Sequence, residues 1–514
     1  MPEGGYLLGY DIGSSSVKAT LLELETGTVK ASVSSPETEL EIISYEPGRA
    51  EQHPEIWWEH VVRATRLLKE KGGINLNDVV AIGISYQMHG LVIIDKNYKV
   101  LRPAIIWCDS RAVDIGEEAF RSLGEENCLK RFLNSPGNFT ASKLRWVMLH
   151  EPEIFKNIYK MLLPGDYIAM KMTGEIFTTQ SGLSEGILWD FQGNEIAEPI
   201  LRYFNIPKEL IPEIIPTFHN QGQLTREAAE ELSLRSGTIV SYRAGDQPNN
   251  AFSLKVLHRG EIAATAGTSG VIYGVLDSPA YDERSRVNVF LHVNHTIKEP
   301  RYGALLCVNG AGILNSWLKR NMVTFGNDSL TYTQMNKLAE LIPAGSEGLI
   351  FIPYGNGAER TLENKTIGAA LCNLDLNIHS KAHILRAGQE GVVFAMKYGL
   401  EILSEMGLEI HDVRAGYANM FLSPVFNDAF ATITGTTITL YNTDGSQGAA
   451  RGAGLGANLY SSFDEAFVGL KIAKVIEPNL KNREAYLDAY LQWHNYIKSL
   501  LRKENFENNK FQNF

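Results

Sequence analysis

Apolar residues recur along this chain in two rhythms. Residues 6–11 form a short apolar run that ends in Asp11-Ile-Gly-Ser-Ser-Ser. From Val17 the alternation resumes, passes the turn signal Glu25-Thr-Gly-Thr, and continues from Val29. Period-two runs on either side of small-residue turns predict β-hairpins. Residues 55–71 instead carry apolar side chains at helical spacing and stop at Gly72-Gly73, the pattern of a helix and its terminating glycine. Residues 79–85 read as a buried strand, with further strands expected at 91–95 and 104–107. Strands that alternate with helices predict a layered α/β fold.

The second half repeats the style. A strand over 261–266 runs into Gly267-Thr-Ser-Gly and a second strand from Val271. A strand over 305–308 leads through a glycine turn into a helix over 312–319. Residues 348–353 and 437–440 read as strands, and 379–406 as a long helix. Ser446-Gln-Gly-Ala-Ala-Arg opens a helix of small residues. The repetition predicts two α/β domains, 1–243 and 244–502, joined near 241–245. The polar, Asn-rich segment 503–514 is expected to fray.

Composition narrows the function classes. With 514 residues, 44% hydrophobic and 21% charged, the chain can bury several cores. Its formal charge of −11 argues against a general nucleic-acid binder, which needs a basic face, but not against a nucleotide substrate. No apolar run approaches the roughly 20 residues of a membrane span, and no secretory leader is visible, so no membrane partner is expected. Cys108, Cys128, Cys307 and Cys372 form no CxxC pair. Free thiols in a reducing cytoplasm are the expectation.

Candidate chemistry lies at the turns. Asp11 at a strand end could hold magnesium, mostly through water, while the amides of Gly13, Ser14 and Ser15 face phosphate oxygens. Alone, such a turn is more readily a plain surface turn in a hairpin. The Gly267-Thr268-Ser-Gly turn has the same character, and two such turns in opposite halves suggest a duplicated fold that grips one phosphate chain from two sides. Neither fits the P-loop or the Rossmann fingerprint. Ala244-Gly245-Asp246-Gln247 offers a carboxylate at a glycine turn, either a general base for a sugar hydroxyl or a helix cap. Gln87-Met88-His89 follows a strand, where α/β folds place binding groups. Asp109 and Arg111, beside Trp107, could be a site or a surface ion pair.

In combination these residues resemble the FGGY carbohydrate kinases, most closely the xylulokinases within that family. The Asp-x-Gly-x-Ser turn, Gln-Met-His-Gly, Arg102-Pro-Ala-Ile-Ile-Trp-Cys-Asp-Ser-Arg111 and Gly-Thr-Ser-Gly occur there in the same order. So do Glu51-Gln-His-Pro-Glu-Ile-Trp-Trp, Leu163-Pro-Gly-Asp-Tyr and Gly357-Ala-Glu-Arg-Thr, and the likeness runs to about residue 455. The resemblance implies two ribonuclease-H-like domains of the actin and sugar-kinase type with an interdomain cleft. It implies ATP-dependent phosphorylation of D-xylulose with Mg2+, and possible homodimers by analogy. Asp246 would be the base, and Asp11 and Asp246 the metal-side carboxylates. Gln87, Met88, His89, Asp109, Asp246 and Gln247 would meet the sugar. Gly13, Ser14, Ser15, Lys18, Gly267, Thr268, Gly312, Asn315, Gly416 and Asn419 would meet ATP. Two departures stand out. Asp246-Gln-Pro-Asn-Asn replaces Asp-Asn-Ala-Ala, and Arg414-Ala-Gly-Tyr-Ala-Asn replaces a glycine-rich adenine-side turn, where Arg414 and Tyr417 demand a local change. The alternatives are a kinase for another ketose or polyol, a non-catalytic sugar-binding regulator on the same fold, and a chaperone-type ATPase.

Overall fold

Two mixed sheets organise the protein. The computed structural model describes residues 4–322, 324–325 and 328–511. Counting only the strands of these sheets, the first comprises β1 (Tyr6–Ile12), β2 (Val17–Glu23), β3 (Val29–Ser35), β4 (Val79–Tyr86) and β5 (Ile239–Gly245). Its spatial order is β5-β4-β1-β2-β3; β1, β4 and β5 are parallel, while β2 is antiparallel to both β1 and β3. The second sheet comprises β6 (Glu261–Ala266), β7 (Gly270–Leu276), β8 (Asn288–Leu291), β9 (Tyr302–Val308), β10 (Asp412–Gly416), β11 (Ile438–Tyr441) and β12 (Ile472–Ile476). Within it, β9-β7-β6-β10-β11 repeats the order and directions of β3-β2-β1-β4-β5. Two ribonuclease-H-like units of one plan follow, and the two small-residue turns occupy equivalent places, β1–β2 and β6–β7.

The helices predicted from periodicity form where expected. Pro54–Gly72 (α1) buries Trp57, Val61 and Leu68 and ends at Gly73, whose φ of 59° is the left-handed cap that glycine adopts without strain. Thr140–His150 (α2) and Gln180–Glu185 (α3) belong to the insertion between β4 and β5. Asp246–Ser253 (α4), Gly312–Met322 (α5), Lys381–Glu405 (α6) and Gly445–Gly456 (α7) follow. The last helix, Arg483–Phe511 (α8), runs through most of the segment expected to fray, and residues 512–514 lie outside the described residues.

Residues 241–245, read from sequence as the joint between domains, are the second half of β5 and are buried. The strand lies against α7, and the polypeptide leaves the first sheet through α4. The chain also returns. Helix α7, although far along the sequence, lies on the first sheet against β1, β4 and β5. Glycines on the strands make that approach possible: a Cβ on Gly9 of β1 would sit 1.9 Å from the Ser446 carbonyl oxygen, and one on Gly83 of β4 2.0 Å from that of Ala449. Ser241 Oγ donates to the Ala453 carbonyl at 2.8 Å, tying β5 to the same helix.

Candidate active site

The parallel strands β1, β4 and β5 end at one edge, and that edge gathers the sequence-predicted residues. In register, Asp11 lies beside Ser85, and Tyr86 beside Gly245. The turn after β1, the Gln87–His89 loop after β4 and Asp246 after β5 therefore meet. Ser85 Oγ donates to Asp11 Oδ1 at 2.8 Å. Burial raises the Asp11 carboxyl, an effect opposed by Lys18, its direct cross-strand neighbour, and increased by Asp444. Asp246 opens α4. Its carboxyl is pushed up to about 7, first by burial and then by the charge of Asp11, while the Gln247 backbone and side chain pull the other way. Two carboxylates that repel each other in a low-dielectric edge are a place for a cation. Among the described residues no group of three or more His, Cys, Asp or Glu side chains could hold a metal, so water and phosphate oxygens would complete any coordination.

The first turn is pinned from several sides. Gly13 N–H donates to the Ser16 carbonyl at 3.0 Å, Gln52 Nε2 to the Ser14 carbonyl at 2.7 Å, and Leu40 N–H to the Ser15 carbonyl at 2.8 Å. Half-exposed Trp107 donates from Nε1 to Ser14 Oγ at 3.3 Å.

His89 carries the most constrained backbone of the edge, with φ at 60°, a region a side chain rarely enters. Its ring Nδ1 lies 2.9 Å from the Glu185 main-chain carbonyl, which can only accept, so the proton sits on Nδ1 and Nε2 is left as an acceptor. Lys143 of α2 is fully buried and donates to the carbonyls of His89 at 2.8 Å and Ile106 at 3.0 Å. Burial pulls the Lys143 ammonium down to about 7. Burial, with Lys143 adding to it, pulls His89 down to about 3, so the imidazole is neutral in cells. Its ring packs on Phe139 at 4.8 Å and on Phe290 of β8 at 5.3 Å, where the second unit closes on the first. Met88 is buried against Gly245.

Two predicted sugar contacts are placed differently. Asp109 is fully buried. Both its oxygens are taken by Arg111, and Oδ2 also accepts from Ala50 N–H at 2.6 Å. Arg111 in turn meets Glu51 at 2.7 Å. With both its oxygens taken, this buried carboxylate braces the loop behind the edge. Gln87 is also buried; its Nε2 reaches Gln52 Oε1 at 3.4 Å and its Oε1 has no partner.

On the second unit, a cavity of about 570 Å³ brings together Gly267, Thr268, Gly312, Asn315 and Asn419, five of the residues assigned to ATP. Gly312 and Ile313 N–H groups donate to the carbonyls of Gly267 and Thr268 at 2.9 and 3.0 Å, so α5 fixes the turn. Gly416 does not line this cavity, and neither bulky departure fills it. Arg414 turns away to Glu261 at 2.7 Å, Asp412 at 2.9 Å and the Lys255 carbonyl. Tyr417 is 43% exposed. The expected local change is thus a rerouting of one side chain into an ion-pair cluster. Gln389, Asn336, Lys337 and Ser423 complete the wall. Sequence reasoning missed Asn336, Lys337 and Ser423 because they come from separate helices and turns with no shared motif. It missed Glu185 for the same reason.

The chain matches the FGGY family of carbohydrate kinases, N-terminal domain, over residues 6–253 and the C-terminal domain over residues 262–459. It is 30% identical over 508 residues to the xylulose kinase of Bacillus subtilis, covering 96% of this chain and 98% of that one. It is 29% identical over 492 residues to the xylulose kinase of Escherichia coli, covering 93% and 96%. Among solved structures, a xylulose kinase from Rhodospirillum rubrum superposes with a TM-score of 0.84 at 25% identity over 96% of this chain and 99% of that one. A Plasmodium falciparum glycerol kinase with ADP superposes with a TM-score of 0.84 at 21% identity over 97% and 98%, a likeness of fold. Matched over both halves of its duplicated plan, this chain belongs to the FGGY family of carbohydrate kinases and is a phosphotransferase.

Proposed function

We propose that this kinase transfers the γ-phosphoryl group of ATP to D-xylulose, giving D-xylulose 5-phosphate, at the edge shared by Asp11, His89 and Asp246. The observation that carries this reading is Asp246, whose carboxyl is pushed up to about 7 by burial and the charge of Asp11, at the strand edge that also carries the neutral His89 imidazole. A general base works best when its pKa lies near the operating pH. The names of the full-length relatives point to the same sugar.

Each residue then has a task. Asp246 accepts the proton of the attacking hydroxyl. His89 Nε2 accepts a hydrogen bond from a second sugar hydroxyl and orients the chain of carbons, and Met88 supplies an apolar wall. The turns Gly13–Ser15 and Gly267–Thr268 present amides to the phosphates, with the nucleotide base in the cavity floored by Asn315 and Asn419. Asp11 and Asp246 would hold Mg2+, largely through water, and their mutual repulsion fits a cation between them. Bound there, the ion would neutralise phosphate charge, as phosphoryl transfer requires. Positioning and charge neutralisation carry most of such a reaction. The four thiols, all unpaired, suit a cytoplasmic enzyme.

The test is ADP release, coupled to a reporter, across D-xylulose, D-ribulose, glycerol and gluconate. Highest kcat/KM on D-xylulose is expected. Turnover no faster with D-xylulose than with the others overturns the substrate and leaves the family intact.

A further inference from the structure

Between the Met88–His89 loop and the start of α4 lies a carboxyl group that the reaction does not use. Glu185 ends α3 and is 1% exposed. A Cβ on Gly245 would stand 2.4 Å from Glu185 Oε2 and 2.6 Å from Met88 Cγ, so carboxyl, thioether and glycine backbone are packed against one another. The main-chain N–H of His89 faces the same carboxyl, and Glu185 Oε1 has no hydrogen-bond partner. Its own main-chain carbonyl takes the His89 ring proton at 2.9 Å. One residue therefore touches His89 at two points and the Asp246 turn at a third.

We propose that Glu185 is a positioning residue of the sugar site: its buried carboxyl holds the left-handed His89 loop against Gly245 and so sets the spacing between the His89 imidazole and Asp246. The proposal rests on the sugar-site reading given above. A non-glycine residue at positive φ is strained, so the loop keeps this shape only while its neighbours hold it. Lys143 grips the His89 carbonyl from one side. The Glu185 carboxyl, packed with Met88 against Gly245, braces the loop from the other side. Burial raises it well above the usual carboxylate range, and the charge of Asp246 adds to the rise. Gly245 explains itself in the same way, since any side chain there would displace this carboxyl.

The experiment compares Glu185→Ala and the isosteric Glu185→Gln with the native enzyme. Glu185→Ala should raise the KM for D-xylulose about tenfold or more, the loss expected when a positioned hydrogen bond drifts, while the KM for ATP changes less than about twofold. Glu185→Gln keeps an acceptor in place and should return the sugar KM to within about threefold of native. Amide hydrogen exchange at His89, read in the sugar-free protein, should be faster in Glu185→Ala than in the native enzyme or Glu185→Gln. A native sugar KM in Glu185→Ala overturns the proposal, as does an equal rise in both KM values. If no ketose is turned over by the native enzyme, the substrate reading fails. The clamp is still decided by exchange: equal His89 rates in all three proteins refute it, and slow rates in the native protein and Glu185→Gln alone support it.

Discussion

Asp246→Asn should trade activity for stability, and the structure sets the size of the trade. The Asp246 carboxyl is held near 7 in the folded protein against 3.8 for an ordinary aspartate, by burial first and by Asp11 second. Between about pH 4 and 7 the folded protein therefore retains a proton that the unfolded chain releases. Where the folded state binds more protons, stability falls as pH rises, so this one group lowers stability progressively across that window and by a constant amount above it. The full difference of about 3 units corresponds to ~4 kcal/mol. Asparagine has the same shape and no charge to desolvate, so the variant should be more stable than native at pH 8 by up to that amount. At pH 4, where native Asp246 is protonated, the gain should vanish. The assay is thermal unfolding of both proteins at the two pH values, with chelator present so that no metal masks the repulsion. Turnover should fall by about 10²–10⁴-fold with the base removed. An equal difference in Tm at both pH values would refute the electrostatic reasoning. Near-native turnover would remove Asp246 from its role.

Two further outcomes follow from close backbone approaches. Gly312→Ala would place a Cβ 2.1 Å from the Gly267 carbonyl oxygen, so it should push the phosphate turn away and raise the KM for ATP while sparing sugar binding, measurable by titration of each ligand separately. Gly83→Ala would place one 2.0 Å from the backbone oxygen of Ala449, forcing α7 off the first sheet. Overpacking of a core costs about 1–3 kcal/mol, and a rigid backbone neighbour puts this substitution at or above the upper end, visible as a lower denaturation midpoint.

Much of the fold was legible because its signals are local. The apolar alternation of residues 6–11 and 261–266, the helical spacing before Gly72-Gly73 and the small-residue run after Ser446 each name their element without reference to the rest of the chain. Sequence alone marked the turns at Asp11, His89 and Asp246, which the structure brings to one strand edge, and Thr268, which lines the cavity of the second unit. Asp109 was not legible, because an acid beside an arginine reads the same whether it faces a ligand or braces a loop. Only burial and the occupied oxygens distinguish the two. The sequence also placed the joint of the two units at residues 241–245, since a glycine turn there marks an end of something. It could not show that the strand belongs wholly to the first sheet.

By itself, then, the sequence determined the repeated strand–turn–strand units and the residues at their turns, because propensity and periodicity act over a few positions. Tertiary structure alone decided what those turns face. It brought α7 back to the first sheet through glycines that admit a backbone at van der Waals distance, and it turned Arg414 away from the cavity of the second unit into an ion pair with Glu261. It also set Glu185 against Gly245 and His89, and raised Asp246 to about 7 by burying it near Asp11. Desolvation and charge proximity depend on residues distant in the chain, and no local pattern encodes them.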